Sequence, residues 1–210
     1  MDVVRQFYMD GWGDLKNSHV AISFHDAFQG VTGWNDWGSG MWNLLLDTHH
    51  YEIFDSSQVA MSPATHVSTA CAFGKSMASN NKWTISGEWT GAMTDCAKYL
   101  NGYGKGARTD GSLAGSSAVG SCAGQSEGSV SNLSQQERDD MSRFIEAQLD
   151  AFESAAGWIF WTWRTESQPA GWDLADLVKH NVFPSPVTDR KCKCCLTPSL
   201  AENVFADVDF

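Results

Sequence analysis

The fold is decided by four short apolar runs: HVAISF at 19–24, WNLLL at 42–46, WTIS at 83–86 and GWIFWTW at 157–163. Each run has the length and composition of a buried β-strand. None of them alternates cleanly between apolar and polar residues. We therefore expect both faces of these strands to be covered, as in a parallel sheet.

Helical patterns lie before, between and after these runs. Residues 2–15 carry apolar side chains at helical spacing, residues 134–155 open with the capping box SQQE, and a last helix is predicted at 173–179. The two apolar stripes consist of Val3, Val4, Phe7, Tyr8 and Trp12, and of Met141, Phe144, Ile145, Leu149 and Phe152. Strands that alternate with crossovers predict an α/β fold with parallel strands.

Composition excludes several classes of protein. The chain has 210 residues, of which 42% are apolar and 19% are charged, and this is enough for one packed domain. A net charge of −11 argues against nucleic acid and against an anionic membrane as partners. The longest apolar run, 155–163, is much shorter than a bilayer span, and the opening MDVVRQ shows no signal peptide.

The cysteines leave two interpretations open. An even number fits disulfides formed in an oxidising compartment, whereas the alternative is free, buried thiols. The six are Cys71, Cys96, Cys122, Cys192, Cys194 and Cys195. The Gly/Ser-rich segment 102–131 is either a disordered linker or an ordered surface loop. We favour the loop because Cys96 and Cys122 could tie its ends, and the sequon NLS follows at 132–134.

Polar and aromatic residues follow all four runs: HDAFQ at 25–29, DTHHYEIF at 47–54, GEW at 87–89 and TWRTE at 162–166. Sites in parallel α/β sheets lie beyond the carboxyl ends of the strands. The strongest candidate for a catalytic residue is Glu88, because a carboxylate at a strand end can act as the nucleophile of glycoside hydrolysis. The alternative for Glu88 is a surface glutamate in a turn.

His49 and Tyr51 are two residues apart, so on an extended strand they share one face. Such a pair can hydrogen-bond sugar hydroxyls or orient a carboxylate. The rival interpretation is a metal site that uses His49, His50 and Asp47, but adjacent histidines point in opposite directions on a strand. The cysteines after residue 190 have no partner cluster at zinc-ribbon spacing. We expect no metal and no cofactor.

Aromatic residues are concentrated at the strand ends that also carry polar groups. Pyranose rings present flat faces of C–H bonds, and aromatic rings stack on them. Core packing is the alternative for any single ring, but it explains this crowding less well. The candidate sugar-contacting rings are Phe28, Phe54, Trp161 and Trp172.

Longer motifs resemble the fungal exo-β-1,3-glucanases of glycoside hydrolase family five over roughly residues 1–190. These motifs are FHDAFQ at 24–29, DTHHY at 47–51, GEWTGAMTDCA at 87–97, LNG at 100–102, EAQLDAFE at 146–153, FWTWRTE at 160–166 and FP at 183–184. The resemblance implies a TIM (β/α)8 barrel and retaining hydrolysis that releases glucose from the non-reducing end of β-1,3-glucan. It implies that Glu88, at the end of the seventh strand, is the nucleophile. His49 and Tyr51 then form the sixth-strand pair that contacts the sugar and the nucleophile.

The resemblance also implies roles for the aromatic residues. Trp161 is the expected floor of the −1 subsite, and Trp172 is expected to line the pocket. Phe28 and Phe54 are expected to hold glucose units nearer the entrance. Outside the pocket, the resemblance implies the disulfide Cys96–Cys122 and a C-terminal partner for Cys71, for which three cysteines remain candidates.

The resemblance covers only the C-terminal half of the barrel, strands five to eight. The Asn-Glu-Pro motif that carries the acid/base glutamate is expected just before residue 1 and is absent from the sequence, so Met1 resembles an internal start. We expect a partial barrel domain at 1–190 and a divergent tail at 191–210. Half a barrel leaves two sheet edges and an uncovered inner face. The isolated chain is therefore expected to be inactive and marginally stable without the missing N-terminal half-barrel.

The expected partner is a β-glucan polysaccharide or oligosaccharide, and the expected location is extracellular or in the cell wall. The location follows from the resemblance, the number of cysteines and the sequon. Two alternatives for the function remain. One is a catalytically inactive glucan-binding protein that kept the aromatic residues, and the other is a sibling hydrolase that acts on β-1,6-glucan or a glucosylated lipid.

Overall fold

The computed structural model describes residues 2–16 and 19–194. Its helices are α1 (Asp2–Leu15), α2 (Ser56–Val59), α3 (Pro63–Ala78), α4 (Gln135–Glu153) and α5 (Leu174–Lys179). Its strands are β1 (Ile22–His25), β2 (Leu44–His50), β3 (Trp83–Trp89) and β4 (Gly157–Trp158), and short 3-10 turns occupy Val31–Trp34 and Val130–Asn132.

The four strands form one parallel sheet in the order β1-β2-β3-β4. Parallel neighbours need long crossover connections, and α3 and α4 lie in the crossovers from β2 to β3 and from β3 to β4. The predicted α/β class with parallel strands is confirmed.

The helices cover only one face of this sheet. Along β2, the side chains of Leu44, Leu46, Thr48 and His50 are buried, whereas those between them are half-buried. The buried side chains belong to the core that the helices complete. The expectation that both faces are covered is therefore wrong for the described residues. We call the uncovered side the open face, and the strand pairing assigns to it Ser23, His25, Leu45, Asp47, His49, Trp83 and Ile85.

The strand ends differ from the predicted ones. β2 continues to His50 and β3 to Trp89, so His49 and Glu88 lie within strands rather than beyond them. A register shift after Thr48 pairs His49 with Glu88 and so extends the ladder. In contrast, β4 ends at Trp158, well before the end of the fourth apolar run.

The long helix α4 begins where the sequence predicts. Ser134 accepts a hydrogen bond from the Glu137 N–H, and the Glu137 side chain accepts one from the Ser134 N–H, which completes the capping box. The predicted stripe is buried along its whole length. The short helix α5 also agrees with its prediction, with Asp173 as its N-cap.

The helix α3 is missing from the sequence-based expectations, although its start carries a recognisable signal. Ser62 caps the helix by accepting from the Thr65 N–H, and Pro63 fills the first helical position. Within the helix, a Cβ on Gly74 would lie 2.7 Å from the Ala151 backbone of α4. A glycine at this position thus lets the two helices cross in direct contact.

The first helix is only partly embedded. Tyr8 and Trp12 pack against the core, and the Tyr8 ring centroid lies 5.2 Å from that of Phe24. Val3 and Phe7 are exposed, so only part of the predicted apolar stripe of α1 packs against the core. The side chain of Val4 lies outside the described residues.

Two disulfides brace the described part of the chain. Cys96 is bonded to Cys122, the pair that the resemblance implies, and the segment 102–131 is an ordered loop. Cys71 of α3 is bonded to Cys194. Cys192 is a free, partly buried thiol, and burial together with the nearby Glu146 raises its pKa. Cys195 and the rest of the predicted tail to residue 210 lie outside the described residues.

Among the described residues, the helices are all too short or too polar to cross a lipid bilayer.

Candidate active site

Glu88 lies near the carboxyl end of β3 with its side chain 27% exposed. Its Oε2 atom accepts a hydrogen bond from the Tyr51 hydroxyl at 2.9 Å. The same oxygen lies 3.3 Å from His49 Nδ1 on the neighbouring strand. His49 and Tyr51, which the sequence analysis places on one face of a strand, therefore both contact the candidate carboxylate. His49 lies in β2, whereas Tyr51 follows it.

Gly87 shapes the backbone immediately before Glu88. A Cβ at this position would collide with the Asp47 carboxylate. The glycine therefore makes room for Asp47 on the open face, beside the register shift that pairs His49 with Glu88. Burial raises the pKa of Asp47, and the nearby His49 and His25 offset part of this effect.

Histidine and phenylalanine rings continue the site across β1. The His25 ring centroid lies 4.3 Å from that of His49 and 4.8 Å from that of Phe28. The turn after β1 places Phe28 at a φ of 56° and is held by a hydrogen bond from the Phe28 N–H to Asp26 Oδ1 at 2.9 Å. Phe28 is 77% exposed, so its ring projects from the surface instead of packing in the core.

Tyr51 stands in an aromatic group. Its ring is stacked on Trp172 with centroids 5.7 Å apart and planes inclined by 23°, and Phe54 contacts it edge-on at 5.4 Å. Burial, with the hydrogen bond to Glu88, raises the pKa of Tyr51. The phenol therefore remains a protonated donor to the Glu88 carboxylate at any ordinary pH.

Glu52, the residue after Tyr51, is a buried carboxylate with two histidine partners. Glu52 accepts hydrogen bonds from His50 Nε2 and from His66 Nδ1, both at 2.8 Å. Burial opposes ionisation of Glu52, but the bonds from the two histidines outweigh it and lower its pKa. Because His66 belongs to α3, this group ties the segment around Tyr51 to the helix behind the sheet.

Trp161 lies beyond β4, next to the strand that carries Glu88. Its N–H donates to the Trp89 carbonyl at 2.9 Å, and the Thr162 N–H donates to the Trp172 carbonyl at the same distance. The peptide bond between Trp161 and Thr162 is cis. The Trp161 side chain is half-exposed, so its indole is available to a ligand.

The structure thus gathers Glu88, His49, Tyr51, Trp172 and Phe54 directly, and it places Phe28 and Trp161 on either side of them. Two further residues at the site, His25 and Glu52, were not candidates in the sequence analysis, and Asp47 was one only in the rival metal interpretation. His25 and Asp47 had a usable signal, since each directly follows an apolar run and Asp47 lies two residues before His49. Glu52 had none, because its partner His66 lies on a helix that was not predicted.

The arrangement suits nucleophilic chemistry on a sugar. A carboxylate with one oxygen held by a phenol can present the other oxygen to an electrophilic carbon. Rings around it can stack on the C–H faces of a pyranose. In the described part of the chain, the structure shows no group of three His, Cys, Asp or Glu residues placed to hold a metal ion.

Comparison with known proteins finds relatives that are named glucan 1,3-beta-glucosidases. No protein-family model matches it. It is 45% identical over 207 residues to a glucan 1,3-beta-glucosidase of Blumeria graminis, an alignment that covers 93% of this chain and 48% of that protein. It is 51% identical over 193 residues to the probable glucan 1,3-beta-glucosidase A of Emericella nidulans, with coverages of 90% and 47%.

A further relative, the probable glucan 1,3-beta-glucosidase A of Neosartorya fischeri, is 46% identical over 190 residues, covering 90% of this chain and 43% of that protein. The chain spans about half the length of the curated relatives it matches. Among solved structures, AoRut aligns with a TM-score of 0.48 and 15% identity, covering 85% of this chain and 41% of that one.

Proposed function

We propose that this chain carries the nucleophile of a retaining glycosidase that removes glucose from the non-reducing end of β-1,3-glucan. The observation that carries the proposal is the setting of Glu88, whose carboxylate receives the Tyr51 hydroxyl at 2.9 Å and lies 3.3 Å from His49. The names of the relatives support the substrate class. In the proposed reaction, Glu88 attacks the anomeric carbon as the bond to the glycosidic oxygen breaks, and the rest of the glucan leaves with that oxygen, protonated by the general acid. Water then hydrolyses the resulting glycosyl-enzyme ester, which releases glucose and restores the Glu88 carboxylate.

Tyr51 and His49 have separate roles in this proposal. Tyr51 fixes one oxygen of Glu88 by donating a hydrogen bond to it, and this leaves the other oxygen for the attack. His49 lies between the carboxylates of Glu88 and Asp47, with its Nε2 atom 3.7 Å from Asp47 Oδ2. We assign it to orient Glu88 and to contact the sugar hydroxyls.

The aromatic residues supply the sugar-binding surface. We assign Trp161 to the floor of the −1 subsite, because its backbone N–H donates a hydrogen bond to the carbonyl of Trp89, the residue after Glu88. Trp172 lines the pocket through its stack on Tyr51. Phe28 and Phe54, both exposed, are assigned to the glucose units nearer the entrance.

The sheet corresponds, in this proposal, to strands five to eight of a TIM (β/α)8 barrel. Parallel strands in chain order, with helices on one side and the open face on the other, support this assignment. The proposed domain spans 1–190 and its tail 191–210. Retention needs a second carboxyl about 5–5.5 Å from the first, and we propose that a half-barrel outside these 210 residues contributes it as the general acid. Without that acid, hydrolysis is expected to be slower by about 10²–10⁴-fold.

We also propose that the protein works outside the cell or in the cell wall, where β-glucan is the partner. The disulfides Cys71–Cys194 and Cys96–Cys122 support an oxidising compartment.

The test uses a dinitrophenyl β-glucoside, whose leaving group departs without protonation, so the reaction does not depend on a general acid. The 210-residue chain is expected to be inactive on glucan, but on this activated glucoside we expect it to release dinitrophenolate in a burst equal to the enzyme concentration. The variant Glu88→Gln, which keeps the shape of the side chain, should release none. Equal release by both proteins contradicts the proposal.

A glucan-binding protein without catalysis is the second candidate, and the exposure of Phe28 and Trp161 favours it. It predicts retention on laminarin with no dinitrophenolate from either protein. A preference for the β-1,6-glucan pustulan over laminarin would instead favour the sibling hydrolase.

A further inference from the structure

Two tyrosines are stacked on each other in the loop that follows β3. The ring centroids of Tyr99 and Tyr103 are 5.4 Å apart, and their planes are inclined by only 22°. Tyr103 is 89% exposed and Tyr99 is 54% exposed. The pair therefore presents a flat aromatic surface to solvent. Neither ring belongs to the hydrophobic clusters of the described residues.

Leu100 and Asn101, which lie between the two tyrosines, contact buried parts of the protein. Leu100 packs against the apolar cluster that contains Trp172. The Asn101 amide donates to Asp95 Oδ2 at 2.9 Å, and Asp95 is a buried carboxylate. Because Leu100 and Asn101 are held from below, the rings on either side of them project outward.

Further contacts fix the loop before any ligand arrives. The Lys98 ammonium forms an ion pair with Glu127 at 2.8 Å and lies 5.3 Å from the centroid of the Tyr99 ring. The disulfide Cys96–Cys122 closes the same loop. A rigid aromatic surface loses little conformational entropy on binding, which is the condition under which ring stacking contributes most to affinity.

We propose that Tyr99 and Tyr103 form a sugar-binding platform that holds a pyranose unit of a β-linked glucan outside the pocket containing Glu88. The inference rests on the proposed function, which supplies the class of ligand. The C–H face of a pyranose matches the exposed Tyr103 ring in size and polarity. Leu100 packs against the same apolar cluster as Tyr51, the cluster that contains Trp172, so it connects the platform to the pocket.

The platform is expected to matter for long chains and not for short ones. In this proposal a polymer occupies the pocket and the platform together, whereas a disaccharide occupies the pocket alone. The second contact then raises the affinity for the polymer as an intramolecular binding event. Removing the Tyr103 ring is expected to weaken binding of the polymer by about three- to tenfold.

The experiment compares laminarin, measured by retardation of the 210-residue chain in native gels, with laminaribiose, measured by tryptophan fluorescence. Tyr103→Ala and the double variant Tyr99→Ala/Tyr103→Ala should lose affinity for laminarin and keep affinity for laminaribiose. Tyr103→Phe keeps the ring and should bind as the parent chain does. Phe7→Ala removes another exposed ring, on α1, and should change neither affinity.

Each other outcome overturns the inference in a recognisable way. Unchanged retardation of the double variant overturns the platform and leaves the proposed function standing. Equal losses for laminarin and laminaribiose place the tyrosines in the main pocket and overturn a separate platform. A parent chain that binds neither sugar overturns the platform together with the proposed function.

Discussion

At the scale of single residues, Gly87 determines how the site is built. The space above its Cα is filled by the Asp47 carboxylate, which lies on the open face beside His49. The glycine is therefore needed for its small size, since no positive φ is recorded for it. Any side chain here must displace Asp47 and, through the strand, shift Glu88.

The substitution Gly87→Ala tests this close approach. We expect the free energy of unfolding to fall by about 1–3 kcal/mol, because the added methyl group overlaps a carboxylate in a packed site. Denaturant titration measures the change, and the dinitrophenolate burst should be lost with it. The control is Gly13→Ala in α1, where a Cβ meets nothing within 4 Å, so stability should stay equal or rise slightly. Equal stability of Gly87→Ala and the parent would contradict the packing described.

At the scale of elements, Glu52 joins the end of β2 to α3. Its two hydrogen bonds come from His50, on the strand, and from His66, on the helix. Both oxygens of a buried carboxylate are thus satisfied by groups that only the folded chain brings together. His50 and Glu52, the residues on either side of Tyr51, are both held by these hydrogen bonds.

The stability of this connection should depend on pH. The pKa of Glu52 is lowered in the folded chain, so its carboxylate stabilises the fold above the unfolded value, near 4.3, and this contribution is lost as the pH falls through the lower folded value. At pH 7, Glu52→Gln should lower the free energy of unfolding by about 3 kcal/mol. Its loss of stability in acid should be shallower than that of the parent.

Thermal unfolding between pH 7 and pH 3 measures both effects. The exposed Glu166→Gln is the matched control and should follow the parent curve. If Glu52→Gln and the parent lose stability in parallel as the pH falls, Glu52 is not ionised in the way described.

The elements differ in how far their formation is encoded by local sequence. The four apolar runs were enough to predict the parallel sheet, and the capping box at Ser134 was enough to predict the start of α4, because these signals are local. The helix α3 was missed, since its weak apolar pattern includes Gly74 and the buried polar His66. The grouping of Glu52 with two histidines depends on tertiary contacts that no local pattern encodes. The resemblance to a family, and not spacing, assigned roles to Trp161 and Trp172.

At the scale of the whole molecule, the open face is the dominant feature. It is polar at the end that carries His25, Asp47 and His49, and apolar at the other end, where Trp83 is 59% exposed. Exposed apolar patches of this kind favour association with another surface. The proposed half-barrel outside these residues is such a surface.

We therefore expect the 210-residue chain to self-associate at micromolar concentration. Trp83→Lys should shift it toward the monomer in sedimentation velocity, because a charge on the open face opposes contact. Trp163→Lys changes an equally exposed tryptophan that is not among the open-face residues and should leave the distribution unchanged. A parent chain that stays monomeric throughout would show that the open face does not drive association.

The central claim is that Glu88 is the nucleophile, and trapping the glycosyl-enzyme ester tests it most directly. The chain is incubated with an activated fluoroglucoside, digested and analysed by tandem mass spectrometry. We predict one fluoroglucosyl group, attached to the Glu88 carboxylate and absent from Glu88→Gln. A label on Asp47 or another carboxylate, or none on a chain that binds laminarin, would contradict the account.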